Sequence, residues 1–185
     1  MRYNKNKKDI KQKVKNIQFL LSDVDGVLTD GSLFVGSDGT EYKKFHVEDH
    51  SGIVLLQLAK IPVGFLSARF SKTTSIRAKE MKVDICIQGA LNKAKFFKEI
   101  CKENNLSSNQ VAYVGDGLID IPVMNLAGLS IAVNNADDRV KKAADIITHL
   151  NGGEGVLKEL ANFILTEQNK IDDAMRIMKE KIYDA

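Results

Sequence analysis

Tryptophan is absent from the 185-residue chain, and proline and cysteine occur only twice each. So little proline leaves no case for a proline-rich linker or a collagen-like repeat. The two cysteines, Cys86 and Cys101, form no CxxC pair. They suit a reduced, cytoplasmic chain rather than a disulfide framework, and Cys86 is expected to be a small core residue of a buried strand. Long apolar runs are missing as well. Stretches such as 17–21 fall far short of the roughly 18 residues that suggest a membrane span. The basic N-terminus is not followed by the apolar run and small-residue cleavage site of a secretory signal, so no membrane partner is expected. The three histidines, His46, His50 and His149, make no zinc pattern. The first two are four apart but fall at a hairpin exit rather than in a clear helix, and read as structural or substrate-lining.

What is present is an ordinary globular composition, 44% hydrophobic and 28% charged, long enough to bury a core without staples. The formal charge of +3 is unevenly spread. Residues 1–16 carry seven basic residues against Asp9 alone, which leaves a net −3 in 17–185. The reading is a basic, solvated N-terminal extension at 1–16, one domain at 17–165 and a helical tail at 166–185. An acidic body offers no basic groove, so no nucleic-acid partner is expected.

Along the domain, short β runs alternate with amphipathic stretches. Strands are predicted at 17–22, 62–67, 84–87, 110–114, 129–133 and 146–148. Helices are predicted at 51–59, 72–81, 91–104, 119–127, 137–144, 155–165 and 171–181. A hairpin is predicted where 33–35 and 41–45 flank the glycine-containing turn 36–40. Alternation of this kind gives βαβ units: an α/β fold with a central parallel sheet and helices on both faces. Ligands of such sheets lie beyond the carboxyl ends of the strands.

The residues at those ends carry the chemistry. The first strand runs into Asp23-Val24-Asp25-Gly26. Two carboxylates one residue apart on extended backbone point the same way and repel, unless a cation or a shared proton intervenes. The strand at 110–114 ends in Gly115-Asp116-Gly117, with Asp120 at the start of a helix. If the two strands are neighbours, Asp116 reaches the same pocket as Asp23, and Mg²⁺ takes such carboxylates together with phosphate oxygens. The strand at 62–67 ends in Ser67-Ala68-Arg69, and Lys93 opens a helix after the strand at 84–87. A lysine there opposes the helix dipole, and a bound phosphate would account for it.

Acid pair, hydroxyl, lysine and acid, in that order, resemble the four motifs of the haloacid dehalogenase (HAD) superfamily of phosphatases over about residues 17–165. The stretches DVDGVLTDG, KKFHVEDHSGI, VAYVGDGLIDIPVM and NGGEGVLKEL resemble its capless sugar-acid phosphatases. The resemblance implies a three-layer Rossmann-like fold with a small β-hairpin flap and no cap domain, since only one helix and one strand fit in 68–92. It implies a Mg²⁺-dependent phosphatase acting on a phosphorylated sugar acid, foremost 3-deoxy-D-manno-octulosonate 8-phosphate. A nine-carbon 9-phosphate, or a non-catalytic oligomerisation domain, are the alternatives. By the same resemblance Asp23 is the nucleophile and Asp25 the general acid and base, while Ser67 and Lys93 bind phosphate. Asp23, the Asp25 carbonyl and Asp116 bind the metal, and Asp120 supports the metal waters or Lys93. Arg69 is the candidate for the substrate carboxylate. Gly117 stands where relatives of this kind have a second Asp, Ala68 where they have Gly, and Glu154 where the octulosonate enzymes often have Arg. A homotetramer with sites at subunit interfaces is implied, with the 152–155 loop and the tail 166–185 reaching a neighbouring site.

Overall fold

The structure, a computed structural model of the chain, describes residues 1–183. At its centre is β2 (Phe19–Ser22), buried at all four positions. β5 (Val63–Leu66) lies parallel on one side of it and β7 (Val111–Gly115) parallel on the other. Such strands are continuous apolar runs because both faces are covered. β6 (Ile85–Ile87) extends the sheet beyond β5. β8 (Leu129–Ala132), β9 (Ile146–Ile147) and β1 (Arg2–Tyr3) extend it beyond β7, giving the order β1-β9-β8-β7-β2-β5-β6. The chain fills the β5 side first and then crosses to the β7 side. The carboxyl end of β2 is therefore the point where strand order reverses, and a crevice opens there. Ser22 sits level with both Phe65 and Val114, so the strands carrying Asp23 and Asp116 are neighbours.

The helices fall into two packed groups. α1 (Lys7–Lys15), α2 (Val47–Leu58), α7 (Val156–Glu167) and α8 (Ile171–Tyr183) pack together; α4 (Lys93–Glu103), α5 (Ile121–Met124) and α6 (Asp138–Ala143) form the other group. α2 and α7 approach so closely that a Cβ on Gly52 would lie 2.6 Å from the Leu157 carbonyl. Gly155 precedes α7 at the capping position and has no side chain to cap it with. Asp49 of α2 does so instead, accepting from Leu157 N at 2.9 Å. α3 (Lys72–Glu80) and β6 are all that lie between β5 and α4. β3 (Phe34–Val35) and β4 (Glu41–Tyr42) form the hairpin as a separate two-stranded sheet, so among the described residues there is no cap. Among the described residues, no helix is long and apolar enough to cross a membrane.

Three expectations fail here. Residues 1–16 are not a solvated extension. β1 pairs antiparallel with β9, α1 buries Ile10 and Val14 completely, and Lys5 and Lys13 close on buried Asp145 at 2.6 and 2.8 Å. The lysines hide an i, i+4 apolar pair, and part of their charge is matched inside the fold. Cys86 is exposed rather than buried, because β6 is an edge strand and alternate residues of a strand face opposite sides. His46 and His50 also sit differently from their predicted place: His46 caps α2, accepting from Glu48 N, and His50 lies within the helix.

Candidate active site

Where β2 ends, the chain turns so that Asp23 is buried under its own loop, with Oδ1 accepting from Val24 N at 2.7 Å. The other oxygen, Oδ2, meets Lys93 Nζ at 2.7 Å. Lys93 is the first residue of α4, capped by the Asn92 side chain, and its own side chain is fully buried. The ammonium also donates to Asp120 Oδ1 at 2.7 Å and to the Tyr113 hydroxyl at 3.3 Å. Tyr113 donates to the same Asp120 oxygen at 2.5 Å. Asp120 Oδ2 accepts from the backbone N–H groups of Asp116 and Gly117, both at 3.0 Å. Asp120 is thus saturated, and its work is to hold Lys93 and the loop carrying Asp116.

Asp116 lies directly against Gly26. A Cβ there would come within 2.1 Å of the Asp116 carboxylate, and Gly26 has φ +88°, so close approach and left-handed backbone both require glycine. One ligand oxygen each from Asp23, Asp116 and Asp120 falls within a 4.8 Å cluster. One ammonium faces three acids. The Asp23 carboxyl stands raised to about 7, because burial pushes it up more than Lys93 pulls it down, and Asp120 adds to the rise. Asp116 rises to about 6 through burial and then Asp120. Burial works against the charge on Lys93, but Asp23 and Asp120 outweigh it and hold the ammonium above its ordinary range. Oxygen donors alone, converging and short of positive charge, fit a hard divalent cation.

Asp25 sits beside this cluster. Its two carboxylate oxygens are buried and accept no hydrogen bond among the described residues, although Lys43 Nζ makes an ion pair with Oδ1 at 2.6 Å. Ser67 is buried at the end of β5, its hydroxyl donating to the Arg69 carbonyl at 3.0 Å. Arg69 pairs with Glu41 of β4, whose other oxygen accepts from the Ser71 hydroxyl at 2.6 Å. The structure therefore joins Asp23, Lys93, Asp116 and Asp120 in one network. Asp25 stands alongside, while Ser67 and Arg69 sit on the adjoining loop without a hydrogen bond to the cluster.

Sequence reasoning missed Lys43, Glu41 and Tyr113. Alternation about exposed Tyr42 puts Glu41 and Lys43 on one side of the hairpin's exit strand, and a lone tyrosine in an aliphatic strand signals a buried hydroxyl partner. The 152–155 loop does not reach outward as expected. Gly153 N donates to Val27 O at 2.9 Å, and a Cβ on Gly152 would lie 1.8 Å from Gly26 O. The loop is clamped onto the turn carrying Asp25, and the tail helix α8 packs on α2.

A doubly wound sheet with an acid–lysine cluster at its switch point defines a class of phosphoryl-transfer hydrolases. The chain belongs to the haloacid dehalogenase-like hydrolase family, whose family model matches residues 57–160. It is 38% identical to 3-deoxy-D-manno-octulosonate 8-phosphate phosphatase KdsC of Salmonella typhi, over 88% of this chain and 86% of that protein. Its fold matches the same-named phosphatase of Moraxella catarrhalis, solved with magnesium ion, phosphate ion and KDO. That match has a TM-score of 0.90 at 33% identity, over 94% of this chain and 99% of the other. The Yersinia pestis phosphatase of that name matches with a TM-score of 0.86 at 36% identity, over 89% of each chain.

Proposed function

We propose that the protein hydrolyses 3-deoxy-D-manno-octulosonate 8-phosphate to the free sugar acid and inorganic phosphate, with Mg²⁺, in the cytoplasm. The observation carrying this is the undercharged acid cluster at the switch point, in a chain whose curated relatives bear that activity in their names. Asp23, Asp116 and the Asp25 backbone carbonyl would hold the metal. When bound, it neutralises charge on the phosphate oxygens.

Asp23 attacks phosphorus, forming an aspartyl-phosphate as the bond from phosphorus to the sugar oxygen breaks. Asp25 gives its proton to that leaving oxygen. It then takes one from the water that attacks the aspartyl-phosphate, and phosphate departs with Asp23 regenerated. Lys93, held by Asp120 and Tyr113, offers fixed positive charge to the phosphoryl oxygens together with the Ser67 hydroxyl. Arg69 takes the substrate carboxylate, because its fork can bind one bidentately and already holds the Glu41 carboxylate in the free enzyme.

A capless site needs walls from elsewhere. Phe34, Val35, Tyr42, Phe70, Ile76 and Leu91 are all 60–75% exposed on the hairpin, on α3 with the loop before it, and on the loop before α4. A second copy, within a homotetramer, covers them. Phosphate release from a panel of eight- and nine-carbon sugar-acid phosphates, with and without Mg²⁺, tests the activity. Preference for a nine-carbon 9-phosphate, or no Mg²⁺-dependent release, would overturn it. Arg69→Ala should raise KM for the sugar acid phosphate far more than for an aryl phosphate, and equal effects would remove the carboxylate role. A monomer by light scattering would remove the shared walls.

A further inference from the structure

The hairpin does more than border the site. Its exit strand sends two side chains inward on either side of exposed Tyr42. Glu41 binds the loop after β5 through Arg69 and Ser71, and its backbone carbonyl accepts from Thr73 at 3.0 Å. Two residues on, the Lys43 side chain is fully buried, with Nζ 2.6 Å from Asp25 Oδ1 and 3.8 Å from Glu41 Oε1, and it donates to Thr74 Oγ1 at 3.2 Å. Burying an ammonium is costly unless its partner is well placed. Here the near partner is one carboxylate, and that carboxylate has buried oxygens that accept no hydrogen bond among the described residues. Asp25 lies on a turn beyond the end of β2, outside any strand or helix, so no sheet neighbour fixes its direction.

We propose that Lys43 is a positioning residue for the reaction: its buried ammonium holds Asp25 Oδ1, so that the proton Asp25 delivers is carried on Oδ2 in a fixed direction, and so ties acid catalysis to the seating of the hairpin. This rests on the reading of Asp25 as the general acid. Lys43 does not touch the reacting atoms. Its effect passes through Asp25, and so depends on how much the leaving group needs a proton. A sugar alkoxide is a poor leaving group and needs one in the transition state, whereas p-nitrophenolate leaves without help.

The experiment compares kcat/KM, which reports steps up to loss of the leaving group, for 3-deoxy-D-manno-octulosonate 8-phosphate and for p-nitrophenyl phosphate. Lys43→Met keeps most of the length of the side chain and removes its charge. It should lower kcat/KM on the sugar phosphate by about 10²-fold, the lower end of a general-acid contribution, and on p-nitrophenyl phosphate by less than about threefold, with the melting temperature held. Should Lys43→Met not fold, Lys43→Gln is read the same way. Lys43→Arg, which keeps the charge, should recover part of the loss. Asp25→Asn is the reference and should show the same split, larger in size. If Asp25→Asn splits the two substrates while the Lys43 variant lowers both equally or neither, the Lys43 proposal falls alone. If Asp25→Asn shows no split, the acid reading falls and takes the Lys43 role with it.

Discussion

Two buried carboxylates at opposite ends of the same sheet meet lysines in opposite ways. Beyond the carboxyl end of β2, Asp23 shares a single ammonium with Asp120 and stands beside Asp116. At the amino end of β9, Asp145 receives Lys5 and Lys13, with the Ser130 N–H donating to it as well. Burial opposes the charge in both places. At Asp145 the lysines outweigh it and hold the carboxyl below its ordinary range. At Asp23 one lysine is not enough, and the carboxyl rises to about 7. A buried acid with its charge matched is a clasp; a group of acids left short of charge is a place for a cation and an anionic substrate.

The largest test of this contrast is Asp23→Asn. Turnover of the sugar acid phosphate should fall by several orders of magnitude, as when other nucleophiles are removed. Without metal at pH 8, the melting temperature should hold or rise, since an unmatched buried charge is gone. Near-normal turnover would end the covalent mechanism.

Asp49 asks whether a raised carboxyl alone marks function. Burial lifts it to about 7, yet it caps α7. The native state then holds a proton that the unfolded chain releases above the usual carboxylate range. Its contribution to stability is full below about pH 4 and is lost as pH rises to about 7. Asp49→Asn keeps the cap oxygen and should remove that loss, on the order of a few kcal/mol. Melting temperatures at pH 4.5 and 7.5 decide it: an advantage of the variant that does not grow with pH would refute the assignment.

Asp145→Asn should cost about 2 kcal/mol in denaturant unfolding. That is less than a fully buried pair, because both lysines are partly exposed, and turnover should not change. A fall in turnover with stability intact would make Asp145 part of the site and erase the contrast. The smallest effect belongs to Gly117→Asp. A Cβ there has only Asp120 Oδ2 near it, at 3.9 Å, so the added acid fits. It should lower the Mg²⁺ concentration for half-maximal rate by about tenfold, as groups just outside a metal's ligands do. An unchanged or higher requirement would mean the cluster does not lack charge.

Much of this was legible in the residues. Short apolar β runs and period-3.6 patterns located the parallel strands and most helices to within a few residues, and the acids and lysine at the strand ends marked the site. The N-terminal segment was misread because seven basic residues masked Ile10 and Val14. The countercharge, Asp145, lies more than 130 positions away. Lys43 was illegible for the same reason: next to Lys44 on a short hairpin it looks like a solvated face, and only packing against Asp25 and Thr74 buries its side chain.

What the sequence by itself determined is the alternation of elements and the kinds of chemical group at each strand end, because both follow from local periodicity and from where a chain leaves a strand. Tertiary structure alone decided which of those groups share one desolvated volume. Asp23, Lys93, Asp116 and Asp120 come from three separate strand ends, and their charges are matched or left short only when the order β7-β2-β5-β6 brings those ends together. Electrostatic energy depends on distance through low-dielectric protein, not on separation along the chain.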